Sequence, residues 1–195
     1  FEKENQFYIE NSNSSHIPKL YKYDNTKTIT NSVYEIISKI NGKTLYYYWY
    51  KMIESQKEET IKQIVNIVRE IHNTKCESYN WTNYIKSKII DAYKNTQQYF
   101  SIEEQEILEK SFEEYDKYLI DNKFALIHND LHFDNIIKNE NGLYIIDFND
   151  TMIAPIDYEF RLLCMCKETP WKWANSEMDP FQKPEDYTNI DIYIK

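Results

Sequence analysis

Glycine is almost missing from this chain: Gly42 and Gly142 are the only two in 195 residues, where ordinary usage of about 7% would give roughly 14. Two glycines so far apart cannot build a G-x-G-x-x-G turn or a G-x-x-x-x-G-K-[ST] loop. Rossmann cofactor binding and P-loop chemistry are thereby excluded. Cysteine is scarce and odd in number. Of Cys76, Cys164 and Cys166 only the last two lie close together, which fits reduced thiols in a cytosol better than a disulfide frame. Positive charge is in deficit, with 23 Lys+Arg against 32 Asp+Glu and a net charge of −9. A nucleic-acid partner needs a basic face and is not expected. A cationic small molecule would suit the acidity, although many acidic surfaces serve only solubility. No apolar run approaches the roughly 20 residues of a membrane span and no signal peptide is present. The expectation is a cytoplasmic protein without a membrane partner, and nothing in the pattern specifies an oligomer.

What is present is a core-forming composition, 42% apolar and 16% aromatic, too rich for a disordered tail and long enough for a real core. Residues 1–16 are polar around Phe1, Phe7, Tyr8 and Ile9, like the end of a short helix. Ile17 to Tyr23 alternates, turns at Asp24-Asn25, and is followed by the β-rich run Val33 to Ile37, so 17–38 predicts an antiparallel hairpin. Asn41-Gly42 ends it. From 43 onward the period becomes helical. Ile61, Ile64, Val65, Val68 and Ile71 predict an amphipathic helix over about 54–73. Trp81, Tyr84, Ile85, Ile89, Ala92 and Tyr93 predict another. A third opens on the capping box Ser101 to Glu104, with Leu108, Phe112, Tyr115 and Leu119 as its stripe. Two short apolar runs follow, 124–127 and 143–146, and are expected to form a two-strand platform. Helical patterning resumes near Tyr158, breaks at Pro170, and Pro184 suits the first position of a last helix.

Chemistry concentrates around those two runs. Between them stands Ile127-His128-Asn129-Asp130-Leu131-His132-Phe133-Asp134-Asn135, and the second ends in Ile145-Ile146-Asp147-Phe148-Asn149. This is an H-x-D-x-x-x-x-N loop followed at hairpin distance by D-F-x, the pattern of kinase catalytic machinery. Phosphoryl transfer requires little covalent chemistry of the protein; it requires positioning and charge neutralisation. One carboxylate must face the acceptor hydroxyl and take its proton. An amide oxygen and a second carboxylate must hold Mg²⁺ on the nucleotide phosphates, since hard cations take oxygen ligands.

The segment resembles the aminoglycoside phosphotransferase and choline kinase superfamily of small-molecule kinases, whose loop commonly reads H-G-D-L-H-x-x-N. The resemblance implies Asp130 as catalytic base and Asn135 and Asp147 as metal ligands. Asn129 in the glycine position looks more like the choline kinases, and Asn149 replaces the glycine that protein kinases carry there. Upstream, Ile17-Pro18-Lys19-Leu20 resembles the strand after helix C. Glu4 then falls where the family places the glutamate that pairs with a strand-3 lysine, with Glu2 as a weaker candidate. Ile37 to Gly42 resembles the hinge, where backbone groups of Ser38 and Ile40 would meet the adenine edge. His72 matches the family's L-x-x-L-H helix end, as a structural residue.

The fold implied is α+β and protein-kinase-like: residues 1–40 as the remnant of a small nucleotide-binding lobe with its hinge, and 41–195 as a helical large lobe, cut at its C-terminus. No glycine-rich strand pair and no V-x-K lysine precede Glu4, so the chain is expected to begin about 40–60 residues late and to be inactive alone. The reaction implied is transfer of the γ-phosphoryl of ATP, or GTP, with Mg²⁺, to a hydroxyl of a small cationic acceptor. The alternatives are a choline- or ethanolamine-type kinase and a pseudokinase-like binding module. His128, Asp130, His132 and Asp134 could be imagined as a zinc cluster, but their spacing lacks the usual separation of such ligands. Trp171 and Trp173, near Glu177 and Asp179, could form an aromatic box for a quaternary ammonium; packing is the commoner use. Cys164 and Cys166 read as core or partly buried thiols. The acidic run from Glu103 to Asp121 reads as a solvated face.

Overall fold

The computed structural model describes residues 2–74, 81–114, 117, 123–169, 172 and 179–194. Its longest element is the helix α3, Glu54–His72, and the sequence period explains it: Ile61, Ile64, Val68 and Ile71 share one stripe and all four are buried. Lys57 lies on the same helix, also buried. Its ammonium reaches Asp186 at 3.2 Å and sits over the Trp49 ring. That ion pair ties α3 to the 3-10 segment Pro184–Ile194, which takes the place of the expected final helix.

Ahead of α3 come α1 (Glu2–Glu10), the antiparallel pair β1 (Leu20–Asp24) and β2 (Tyr34–Ile37), the short strand β3 (Lys43–Thr44) and α2 (Leu45–Trp49). After it come α4 (Trp81–Thr96) and α5 (Ile102–Glu114). Both capping-box bonds of α5 are present, Ser101 N–H to Glu104 at 2.7 Å and Glu104 N–H to the Ser101 hydroxyl at 3.3 Å. Its stripe differs from expectation. No residue of α5 is buried; Phe112 meets Tyr93 of α4 edge-on at 5.4 Å. Tyr115 and Leu119 lie outside the described residues, as do Cys76, Trp171, Trp173 and Glu177 and the side chains of Cys166 and Asp179. The glutamates of α5 up to Glu113 are exposed.

The strands correct the expected platform. The two apolar runs do not pair with each other. Strand β4 (Phe124–Ile127) pairs antiparallel with β7 (Met152–Pro155), while β6 (Gly142–Ile145) pairs with β5 (Ile136–Asn139), which also takes β3. The reason is local. Asn139 to Gly142 is a tight turn that folds β6 back onto the residues just before it, with the Asn141 N–H held by the Asn139 side chain at 2.8 Å and Gly142 at φ +135°. Strand β4 is left to pair with the chain as it returns. Helix α6 (Arg161–Glu168) closes this part, after a 3-10 turn at Ile156–Phe160.

Two apolar clusters hold these pieces: Trp81 and Ile85 of α4 pack with Ile127 and Ala154 of β4 and β7, and a larger one joins most of the rest. Phe7, Tyr8 and Ile17 share it with Leu45, Trp49, Ile64, Leu131, Phe133, Phe148 and Leu163. Phe133 packs against Trp49 at 4.7 Å and Tyr187 at 5.7 Å, so the loop before β5 is anchored from below by aromatic rings.

Gly42 stands where β3 approaches β5. A Cβ there would fall 2.6 Å from both the Ile137 side chain and the Lys138 carbonyl oxygen. Gly42→Ala is therefore expected to cost about 1–3 kcal/mol through overpacking. Urea unfolding should show a lower midpoint at unchanged slope; an unchanged midpoint would contradict this close approach.

Candidate active site

The segment from His128 to Asn135 runs between β4 and β5 as a loop whose alternate side chains are sunk. His128, Leu131 and Phe133 are fully buried, and Asn135 nearly so. Asp130 lies between these anchors and is half-exposed. The His128 ring explains part of the shape: one ring nitrogen, Nε2, meets the Ile146 carbonyl at 2.9 Å, and the other, Nδ1, accepts the Asp130 N–H at 3.2 Å. A carbonyl cannot donate, so Nε2 carries the proton. Both nitrogens are thus committed to main chain. Among the described residues, no group of three or more His, Cys, Asp or Glu side chains is arranged to hold a metal ion.

Asn135 folds back on Asp130. Its Nδ2 donates to the Asp130 carbonyl at 2.8 Å and to the Asp130 carboxylate at 3.1 Å. With the amide nitrogen so engaged, the Asn135 oxygen is turned away from Asp130. Asp147 follows β6 in a left-handed conformation, φ +66°, with its carboxylate exposed and one oxygen accepting from Asn149 at 3.1 Å. The Ile146 N–H bonds the Asn135 carbonyl at 3.0 Å, so the segments carrying Asn135 and Asp147 are held side by side. Phe148 locks the turn. It is buried, stacked on Phe7 at 3.9 Å and 16°, and tilted against His128 at 4.8 Å. The structure therefore brings Asp130, Asn135 and Asp147 onto one connected piece of backbone.

Glu4 reaches the same neighbourhood from α1. It is 3% exposed, and Tyr8 donates to one oxygen at 3.3 Å. Sequence reasoning did not single out its neighbour Glu35, on β2. Burial, then the charge of Glu4 and a hydrogen bond to its carboxyl, push the Glu35 carboxyl up to about 7, and with both acids ionised one buried oxygen of each lacks a donor. Burial, Glu4 and Glu35 likewise push the Tyr8 hydroxyl upward, with a smaller contribution from Asp147. Just after β2, the Ser38 N–H donates to the Lys19 carbonyl at 2.8 Å, and its hydroxyl accepts the Lys19 N–H at 2.8 Å. The sheet side of Ser38 is thus occupied. Among the described residues no hydrogen bond engages the Ser38 carbonyl or the main chain of Ile40.

Two further residues that the motif reading missed hold the loop. Glu159 is fully buried, and its carboxylate accepts from the His128 N–H at 2.7 Å and the Asn129 N–H at 3.1 Å. His72, at the end of α3, meets the same carboxylate at 3.3 Å. Arg161 donates to the Asn129 carbonyl at 2.6 Å. Asn129 is itself left-handed, φ +68°, a conformation that costs an L-residue of order 1 kcal/mol, and Asn less than most. A signal existed in the sequence: Glu159, Leu162 and Leu163 share a helical face, and a carboxylate on an apolar stripe needs a buried partner.

A family model described as the phosphotransferase enzyme family matches residues 2–182. Several solved structures resemble the chain. The gentamicin complex of APH(2")-IIa superposes with a TM-score of 0.66 at 21% identity, covering 98% of this chain and 64% of that one. A GDP complex of an aminoglycoside 2'-phosphotransferase-IIIa mutant gives 0.65 at 16% identity, covering 98% and 70%. A thermostable mutant of APH(4)-Ia with AMP-PNP and hygromycin B gives 0.54 at 14%, covering 94% and 72%. These likenesses establish a kinase-like α+β fold. The chain spans 64% of the length of the first of these structures. No curated protein matches it.

Among the described residues no helix is long and apolar enough to cross a membrane.

The raised Glu35 carboxyl makes a pH prediction. Ionising it costs the folded state more than the unfolded chain, so its penalty is absent below its ordinary 4.5 and complete above about 7. Glu35→Gln should therefore raise Tm near pH 8, with the gain fading as pH falls toward 4.5. A gain of equal size at both ends, or none at pH 8, would show that Glu35 is not held against its charge.

Proposed function

The chain belongs to the phosphotransferase enzyme family, and on that premise we propose that it carries the catalytic centre of an ATP-dependent small-molecule kinase, with GTP as the alternative donor. The observation that supports the reading best is the Asp130–Asn135 pairing on a loop anchored by buried side chains. It holds a half-exposed carboxylate at a fixed place while leaving an amide oxygen beside it for a second task. In this reading Asp130 is the catalytic base. It accepts the proton of the acceptor hydroxyl as that oxygen forms a bond to the γ-phosphorus, and the bond from the γ-phosphorus to the β–γ bridging oxygen breaks, releasing the nucleoside diphosphate.

The donor set fits a hard divalent cation. The Asn135 amide oxygen faces away from Asp130, and the Asp147 carboxylate is exposed with one oxygen engaged by Asn149. Oxygen ligands of this kind, one or two from protein with phosphates and water completing the shell, suit Mg²⁺. Bound there, the ion would neutralise phosphate charge. The adenine edge would meet the Ser38 carbonyl and the Ile40 main chain, whose hydrogen-bonding capacity no described residue takes up.

Glu4 serves the nucleotide indirectly. A buried carboxylate oxygen without a donor is costly, and Glu4 and Glu35 present one each. A cationic side chain from polypeptide outside the described residues would relieve both and carry positive charge toward the phosphates. Residues 1–40 then form the part of a small lobe that faces the hinge, and 41–195 the large lobe.

For the acceptor we infer a small hydroxyl-bearing cation of aminoglycoside type, in keeping with the chain's net charge of −9 and with gentamicin and hygromycin B in the structures resembled. A choline- or ethanolamine-type acceptor is the second reading, favoured by Asn129 in the loop.

In the full-length protein, Asp130→Ala should lower phosphoryl transfer by about 10²–10⁴-fold, the usual contribution of a positioned base, with Tm unchanged. Undiminished turnover would remove Asp130 from the reaction. Separately, Asn135→Ala and Asp147→Ala should weaken nucleotide binding in calorimetry when Mg²⁺ is present and change it little when it is absent. Equal losses with and without the metal would reject them as its ligands. A thermal-shift panel of aminoglycosides, choline, homoserine and simple sugars separates the acceptor classes.

A further inference from the structure

We propose that Arg161 is a positioning residue that, opposite the Glu159 carboxylate already described, grips Asn129 by its carbonyl, holds it left-handed, and so aims Asp130. The consequence for turnover rests on the kinase reading; the clamp itself rests on the loop geometry alone.

The contacts are complementary. Glu159 takes the N–H groups of His128 and Asn129 at 2.7 and 3.1 Å. Arg161, two residues further on, gives its Nη2 to the Asn129 carbonyl at 2.6 Å. That carbonyl and the Asp130 N–H belong to one planar peptide unit, and the Asp130 N–H is held by His128 Nδ1 at 3.2 Å. The peptide entering Asp130 is thus pinned at both its oxygen and its hydrogen. Rotating it would break two bonds at once and swing the Asp130 side chain with it. The Asn129 side chain adds a third restraint, donating to the Asp150 carbonyl at 3.0 Å.

Arg161 is itself prepared for this task. Its guanidinium lies 4.2 Å above the Tyr158 ring, and Nη1 donates to the Tyr158 carbonyl at 3.3 Å. A planar fork held flat on a ring loses little freedom when it bonds a carbonyl. A merely structural Arg161 would need the stack alone, with no reason for a short bond to a left-handed residue beside the candidate base.

The test exploits the left-handed backbone. If Arg161 matters because Asn129 must be kept at φ +68°, then a residue with no preference against that region should need it less, and glycine is that residue. The first measurement is amide hydrogen exchange at residues 128–131, which requires no activity. The second is kcat and KM for the full-length protein.

R161M, which keeps the apolar stem, should speed exchange of these amides by about tenfold or more, as a local opening would. It should lower kcat similarly while leaving the nucleotide KM within about twofold, since binding is not what the clamp supplies. R161K, with one donor kept, should fall between. The double variant N129G/R161M should recover much of both losses. Unchanged exchange in R161M overturns the proposal, and so does a double variant no better than R161M. If R161M fails to fold, R161K alone and with N129G repeats the comparison. Faster exchange in R161M, alongside no turnover by the parent protein on any acceptor, supports the clamp and removes the kinase reading instead.

Discussion

The buried carboxylate of Glu159 is the constraint on which the site depends. A group of this kind is expensive to take out of water unless its oxygens are occupied, and here they are occupied by N–H groups of the loop after β4 and by His72. The carboxylate and its partners come from three stretches of chain: the turn before α6, the end of β4 and the end of α3. Removing the carboxylate would leave one buried and one part-buried N–H group without acceptors, and removing any one partner would leave the carboxylate undersatisfied. The cost of either failure makes the arrangement close to all-or-none. Aromatic packing then supports it from two sides, with Phe148 on Phe7 and Phe133 on Trp49.

This explains which parts could be read from residues alone. That His128, Asp130, Asn135 and Asp147 lie on one connected stretch was legible from their spacing, and α3 was legible because its buried isoleucines, Ile61 to Ile71, recur over about three turns of regular helix. Strand pairing was not legible. The four-residue runs at 124–127 and 142–145 present nothing that distinguishes one partner from another, and what decides is a turn at 139–142 whose effect is only to make β5 the nearest neighbour. Glu159 escaped because two of its partners are main-chain groups about thirty residues away, and backbone donors leave no mark in a sequence. Glu35 escaped for a related reason. It alternates correctly on a β-rich run, and nothing local reveals that its neighbour across the fold is another carboxylate.

The two carboxylates bear on how the small lobe would work. Glu4 and Glu35 sit close enough for the charge of one to raise the other, and each has an oxygen without a donor. Such a pair is a poor device for stability. Under the proposed function it would have a use, since the repulsion between two neighbouring carboxylates strengthens their attraction for a positive group held near phosphate. The position of Tyr8 fits, since its hydroxyl donates to Glu4 and its own titration is pushed upward by burial and both acids. It remains a donor throughout the range in which Glu35 changes charge.

The shortage of glycine acquires a physical meaning at the loop. Left-handed backbone is ordinarily glycine's role, yet Asn129 and Asp147 occupy it at φ +68° and +66°, each beside a residue proposed for catalysis or itself proposed to be one. In a chain with glycine at these points, the left-handed turn would form at little cost and would need fewer groups to impose it. With Asn and Asp, the conformation must be imposed, and the imposing groups are visible: Glu159, Arg161 and the Asp150 carbonyl at Asn129, and Asn149 with the sunken Phe148 at Asp147. The energy spent on holding these residues is small beside the folding of the chain, but it falls where a misplacement of about 1 Å would matter most to phosphoryl transfer. Side-chain restraint thus does at Asn129 and Asp147 what conformational permissiveness would do in a glycine, and under the proposed function a fixed loop is what positioning without covalent chemistry would require.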